Sequence, residues 1–325
     1  MLAYLIRRLV AAVVLLFVMS LLVFIGVYAI GNPVDVLISP EATQHEIEIV
    51  TAALGLDKPL WQQYVIFVQR ALDGDLGRSF AYSTPAVELI LQRMPATLEL
   101  ALAAMLIAIG LGIPLGLYAG LKPESWVSKS IMAGSILGFS LPTFWVGLMM
   151  IMVFSVQLGW LPSSGRGETV EFLGVQWSMF TANGWHHLLL PAINLALFKL
   201  SLLIRLTRAG TREAILQDYV RFARAKGLPM RRVVGVHILK NIMIPIVTVI
   251  GLEFGSVVAF SIVTETIFAW PGMGKLLIDS INVLDRPVVV AYLLVIVTLF
   301  IVINLIVDLL YSSLDPRVRL SGAAA

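Results

Sequence analysis

The chain has 325 residues, of which 59% are hydrophobic and 13% charged, whereas soluble domains sit near one half and one quarter. A soluble core cannot absorb that surplus, so the composition excludes an ordinary globular domain and points to a bilayer. With no cysteine there are no disulfides or thiolate metal sites, and the net charge of +3 comes from basic residues in loops beside apolar runs, a pattern that orients a membrane protein and does not call for nucleic acid.

Arg7 and Arg8 precede an almost uncharged run, residues 9–30, of the length needed to cross a bilayer. A cleaved signal peptide would have an apolar core of about 7 to 15 residues and a small-residue cleavage site, so residues 1–30 are expected to stay as a first helix. Residues 31–95 form a polar excursion with Pro40, Pro59 and Pro85 where short helices could begin, and Gly55 and Gly74 where two could end. They are expected to make a small extramembrane helical subdomain, with Trp61, Tyr64 and Phe67 as the packing face of one amphipathic helix.

Five more apolar runs follow, at 96–121, 131–158, 188–206, 244–268 and 288–311. The expected fold is therefore an all-α integral membrane protein of six transmembrane helices, with a five-helix core over 96–311 and a tail over 312–325. Pro114, Pro142 and Pro191 should kink or restart helices within the bilayer, and Gly110, Gly112, Gly116 and Gly120 should let helices approach closely. Six crossings put both termini on one side. Arg7, Arg8, Lys122, Lys129 and nine basic residues from Arg205 to Lys240 lie on that side, while the opposite loops are acidic, which places the termini in the cytoplasm.

Within the apolar runs Glu253 is the deepest carboxylate in sequence terms, about a third of the way along its run, and in lipid it must face a water-filled cavity or a partner helix. Glu253 and Ser256 are candidate lining residues of a solute path, with an interhelical hydrogen bond as the alternative. Lys199 can reach toward an interface through its long side chain. Near the outer end of the fifth run, Glu265, Trp270, Pro271, Gly272 and Gly274 suggest a tight turn or re-entrant element, either an outer gate or a purely structural turn.

The charged island from Arg205 to Pro245 reads as two short helices hinged at a glycine. Asp218 fits the N-cap of a helix through Lys226, Gly227 the left-handed closing position, and Pro229 the first position of the next helix. Tyr219, Phe222, Ala223 and Lys226 share one face at helical spacing, and Val233, Val234 and His237 share a side of the second helix.

The run DYVRFARAKGLPMRRVVGVHILKNIMIP resembles the cytoplasmic coupling loop of importer-type ABC permeases, in the form found in the dipeptide, oligopeptide and nickel group. Of the general Glu-Ala-Ala motif only Ala223 and Gly227 match, whereas the peptide-importer form, ARAKG before a basic helix, fits. LGLDKPLWQQY at 54–64, GDLGRS at 74–79, RMPATLEL at 93–100 and ETIFAWPGMGKLL at 265–277 extend the resemblance over most of the chain. It implies a type I importer permease core in the bacterial inner membrane, with a coupling loop over 207–243. Asp218, Tyr219, Phe222, Ala223, Arg224, Ala225, Lys226 and Gly227 would engage the ATPases. The implied partners are a second homologous permease, two cytoplasmic ABC ATPases holding the ATP and Mg, and an extracytoplasmic solute-binding protein, with di- or oligopeptides as solute. The competing class is an ion-gradient-driven secondary transporter.

No catalytic constellation accompanies these features. GMGK at 272–275 lacks the upstream glycine and the hydroxyl residue of a phosphate loop, so no ATPase site and no directly bound cofactor are expected. Adjacent His186 and His187 lack the i, i+4 spacing of a helical metal pair. From the charge asymmetry, cysteines at His45 and Val170 are expected to react with an impermeant thiol reagent in intact cells, and one at Ala225 only after permeabilisation. External labelling at 225 would reverse the topology.

Overall fold

The computed structural model describes residues 2–29, 43–53 and 57–314. Pro40, Gly55 and the tail from residue 315 lie outside the described residues. The chain divides into two compact units, residues 1–94 with 273–302, and residues 95–272 with 303–325.

In the first unit, helix α1 is Leu2–Ala29, α2 is Gln44–Ala53 and α3 is Leu60–Leu72. Thr43 and Glu46 form a reciprocal capping box at the start of α2: the Thr43 amide donates to Glu46 Oε2 at 2.8 Å, and the Glu46 amide to Thr43 Oγ1 at 3.4 Å. The Thr43 backbone and hydroxyl together hold the Glu46 carboxyl below its usual range. Pro59 occupies the cap position of α3, one residue before the position expected for it. Tyr64 and Phe67 pack on α1, with Tyr64 5.3 Å from the Phe24 ring and its hydroxyl 2.8 Å from Ser20 Oγ. Trp61 is 66% exposed and does not belong to this face. Positions six apart differ by about 120° around a helix, so α1 covers Tyr64 and Phe67 but leaves Trp61 outside.

The GDLGRS segment is held from within the same unit. Buried Asp285 accepts from the Ser79 hydroxyl and from the amides of Phe80 and Ala81, at 3.1 and 3.3 Å. A carboxylate that collects backbone N–H groups in this way ties a loop that has no ladder of its own.

Helix α4 is Ala86–Leu121, beginning ten residues before the apolar run at 96, because Pro85 and not Pro95 sets its start. Pro95 and Pro114 lie inside it without breaking it. At 36 residues it is about 54 Å long, well beyond one bilayer core. Helices α5, Trp126–Ser140, and α6, Thr143–Gln157, meet at a bend of 108°. Leu141, at φ −81° and ψ 135°, takes the extended conformation imposed by the following Pro142, and this ends α5. The apolar run at 131–158 is thus a bent pair, a broken span or a re-entrant loop, and among the described residues five helices are long and apolar enough to cross a membrane, or six with the bent pair as one.

Between α6 and the next helix lies a two-stranded antiparallel hairpin, β1 Val170–Phe172 and β2 Val175–Trp177, closed by Leu173 and Gly174 at φ +56° and +75°. The all-α expectation missed it because Leu-Gly is not one of the dipeptides that announce such turns. Helix α7, Ala182–Ile215, is capped by the Thr181 hydroxyl and contains Pro191 without a break. Helix α8 is Asp218–Ala225 and α9 is Met230–Phe260, with π-type turns over Val233–Leu239. The apolar run at 244–268 divides at Ser261, where α10, Ile262–Ile267, begins. The chain continues as α11, Met273–Asn282, and α12, Arg286–Leu314.

Helix α7 organises the second unit, touching α5, α6, α9 and α10. It also receives α4 along Gly112, Gly116 and Gly120, which lie over Leu203, Ile204, Thr207 and Thr211. A Cβ on Gly116 would stand 2.6 Å from the Ile204 carbonyl oxygen, too close for any side chain. Gly110 has nothing within 4 Å of its Cβ position, so it takes no part in this contact. Gly116→Val is expected to lower the Tm of the purified protein by several degrees and its yield severely, while Gly110→Val leaves both near wild type. Equal tolerance at the two positions would sink the close-packing account.

Candidate functional site

The charged island has two parts. Arg205, Arg208 and Arg212 ride on the end of α7, which is longer than its apolar run. The turn beyond it leads into α8, whose cap position is Gln217 with no side-chain bond. Asp218 is the first helical residue and not the N-cap; there its charge favours the helix dipole, and its 3.6 Å ion pair with Arg221 is exposed and contributes little.

Val220 and Ala223 are buried where α8 packs on α7 and on the π-type turns of α9. Ala223 therefore turns inward, away from the stripe expected to meet a partner, because the helix needs an apolar pair of its own to hold it in place. Tyr219 and Phe222 face out, Phe222 62% exposed, with Lys226 Nζ 4.5 Å from the Phe222 ring centroid. Arg224 and Ala225 are exposed beside them. Gly227, at φ +74°, closes α8: its amide donates to Arg224 O at 2.9 Å, and that of Leu228 to Ala223 O at 3.3 Å. Pro229 is the cap residue of α9, and Val233 and Ile238 are its buried side there, with Val234 and His237 half-buried.

In mid-span, Glu253 of α9 is ion-paired with Lys199 of α7. Lys199 Nζ also donates to Ser256 Oγ at 2.7 Å, and Ser256 Oγ donates to Glu253 Oε2 at 3.0 Å. The lysine reaches across to α9 and not toward an interface. The pair keeps one open side, with side-chain exposures of 14% for Lys199 and 27% for Glu253.

The deepest carboxylates are others. Glu265, in α10, is fully buried and accepts from Thr97 Oγ1 at 2.7 Å and Ser261 Oγ at 2.8 Å. Gly272 lies flat against its carboxyl group, leaving no room for a Cβ. Trp270 is fully buried, its Nε1 donating to Ala96 O at 2.8 Å, and its ring joins Ala96, Leu100, Ala103, Leu188 and Ala192 in the core. Pro271 is half-buried, and Gly274 is buried in the first turn of α11. Of the two readings of this loop, the structure supplies the fastenings of a structural turn.

Glu99, in α4, is fully buried and was not among the candidates, although it is an isolated carboxylate in an apolar run just as Glu253 is. Arg166 binds it through Nε at 2.9 Å and Nη2 at 2.7 Å, and the Met179 amide donates to its other oxygen. Arg166 Nη2 also reaches Gln176 O at 2.6 Å, so one carboxylate fastens the whole hairpin loop to α4.

Two family models match this chain. Residues 112–320 match the binding-protein-dependent transport system inner membrane component, and residues 1–101 its N-terminal model. The di/tripeptide transport system permease protein DppB of Pseudomonas aeruginosa is 41% identical over 333 residues, covering 98% of this chain and 99% of that protein. The dipeptide permease DppB of Escherichia coli K12 is 40% identical over 340 residues, and the glutathione permease GsiC of an E. coli O6:H1 strain 39% over 320, with the same coverages. Among solved structures, an inward-facing MetNI methionine ABC transporter superposes with a TM-score of 0.53 at 15% identity, over 70% of this chain and 96% of that one, a likeness of fold.

Removing one partner of a buried ion pair costs about 3 to 5 kcal/mol. Arg166→Leu is therefore expected to release the hairpin loop, with amide exchange over 166–179 rising at least tenfold while α7 stays protected. Unchanged exchange there would mean that Glu99 does not hold the loop.

Proposed function

We infer the role of this chain from its family: it belongs to the binding-protein-dependent transport system inner membrane components. It is a multi-pass permease subunit of an ABC importer, a class of subunit that is not catalytic by itself. Its relatives serve di- and tripeptides, dipeptides and glutathione, itself a tripeptide, which supports a short peptide as the solute.

The finer assignments extend that reading. Cytoplasmic ATPases binding ATP and Mg engage α8, a second homologous permease completes the pathway, and an extracytoplasmic binding protein delivers the peptide. The basic island and both termini face the cytoplasm of a bacterial inner membrane. The observation that carries this reading is the two-sided α8. Val220 and Ala223 anchor it to α7 and α9, while Tyr219 and Phe222 are left outward on a basic helix, as a lever between a partner's groove and two spans requires.

Complexes reconstituted with ATPases and binding protein should import a labelled dipeptide only with ATP, and should continue when ion gradients are collapsed. Uptake that follows the ion gradient and ignores ATP would establish a secondary transporter instead. Gly227→Val forces a β-branched residue into a left-handed turn, at a local cost of about 1 to 3 kcal/mol. Because nothing lies within 4 Å of the added Cβ, the variant should still assemble. Peptide transported per ATP hydrolysed should fall severalfold, and an unchanged ratio would remove α8 from the coupling path.

A further inference from the structure

We propose that the Lys199, Glu253 and Ser256 cluster is a subsite that holds the free termini of a peptide during passage, an inference that rests on the peptide reading above. Lys199 lies on α7 and Glu253 on α9, both inside helices apolar enough to span the membrane. A simple fastening between these helices would not need charge, since apolar residues pack there without the desolvation cost of two ions. This pair is also not closed over within the chain: its open side cannot be satisfied by hydrocarbon, so it faces water, a solute or the partner permease that lines the same path.

The chemistry of the pair matches the ends of a peptide. An ammonium donor and a carboxylate acceptor held in contact can separate and each take the opposite group of a zwitterion, Lys199 the terminal carboxylate and Glu253 the terminal ammonium. Before and after the exchange every charge has a partner, so neither end state leaves an uncompensated ion at low dielectric. Ser256 bonds both members, and its hydroxyl can serve either group as they part. Beside the cluster, Phe198 lies 5.1 Å from Lys199 Nζ and stacks on Phe139 of α5 at 4.6 Å, while the Arg205 guanidinium lies 4.5 Å from the Phe139 ring centroid, so the exposed parts of the two rings offer an apolar surface against which peptide side chains can rest. Polar selection for the termini with apolar tolerance for the rest is what a carrier of many peptides requires.

The test uses the reconstituted complex and one labelled dipeptide in three forms: both termini free, N-acetylated, and C-amidated. Each variant is compared with wild type on the same peptides, so discrimination by the binding protein cancels. Lys199→Met with Glu253→Gln, assembled normally by gel filtration, is expected to lose about ten- to a hundredfold in uptake of the free peptide, the weight of hydrogen bonds to charged groups. The ratio of free to blocked uptake should narrow with it. Should that double variant fail to assemble, Glu253→Asp keeps both charges, shortens the reach by one methylene, and should lower free-peptide uptake selectively. A free-to-blocked ratio equal to wild type in an assembled variant would overturn the subsite and reduce the cluster to a helix fastening. Wild-type complexes that import no free peptide would overturn the peptide reading and the subsite with it.

Discussion

In hydrocarbon a charged or hydrogen-bonding group can find partners only in the protein itself, and the interior of this chain is arranged by that constraint. Glu99 is met by a guanidinium and a backbone amide, Glu265 by two hydroxyls, and Glu253 by an ammonium and a hydroxyl. Each solution joins segments distant in the chain. The first ties the hairpin loop to α4, the second ties α10 to α4, and the third ties α9 to α7. Removing a partner from fully buried Glu99 or Glu265 strands a charge or dipole where no water can replace it, so these few contacts hold more strongly than their number suggests.

Around them the second unit relies on contact alone. No hydrophobic effect drives one apolar helix onto another in lipid, so close approach must come from small residues, and α4 supplies them as a four-residue glycine repeat facing α7. That packing makes α7 the fixed member of the unit. This continuous helix of 34 residues carries Lys199 in its middle and the arginines at its end, and leads through a turn into α8.

The island itself divides its labour by helical phase. Val220 and Ala223 spend their surface on attachment, and Tyr219 and Phe222 are left exposed. The amides of Gly227 and Leu228 close the helix by two backbone hydrogen bonds, which fixes the face from which the outward aromatics project. Lys199 stands one to two helical turns from Arg205 along α7, so the Lys199–Glu253 pair and the first arginine of the island share one continuous helix.

Local and additive properties were legible in the sequence by itself. Apolar runs long enough to span, the bias of lysine and arginine, the halt before Pro142, and the left-handed turn at Gly227 each depend on a few neighbouring residues and on rules that hold wherever those residues occur. The Thr43 and Glu46 capping box was equally local and equally readable. Only the tertiary structure decided which charge meets which. Lys199 and Glu253 are 54 residues apart, and Arg166 and Glu99 are 67 apart, so no spacing rule pairs them. It also decided that Glu265 and Trp270 are buried and that Ala223, not Phe222, turns inward. Burial is settled by the helices that happen to lie alongside, and a single strand of sequence carries the helical period but not the identity of the neighbour.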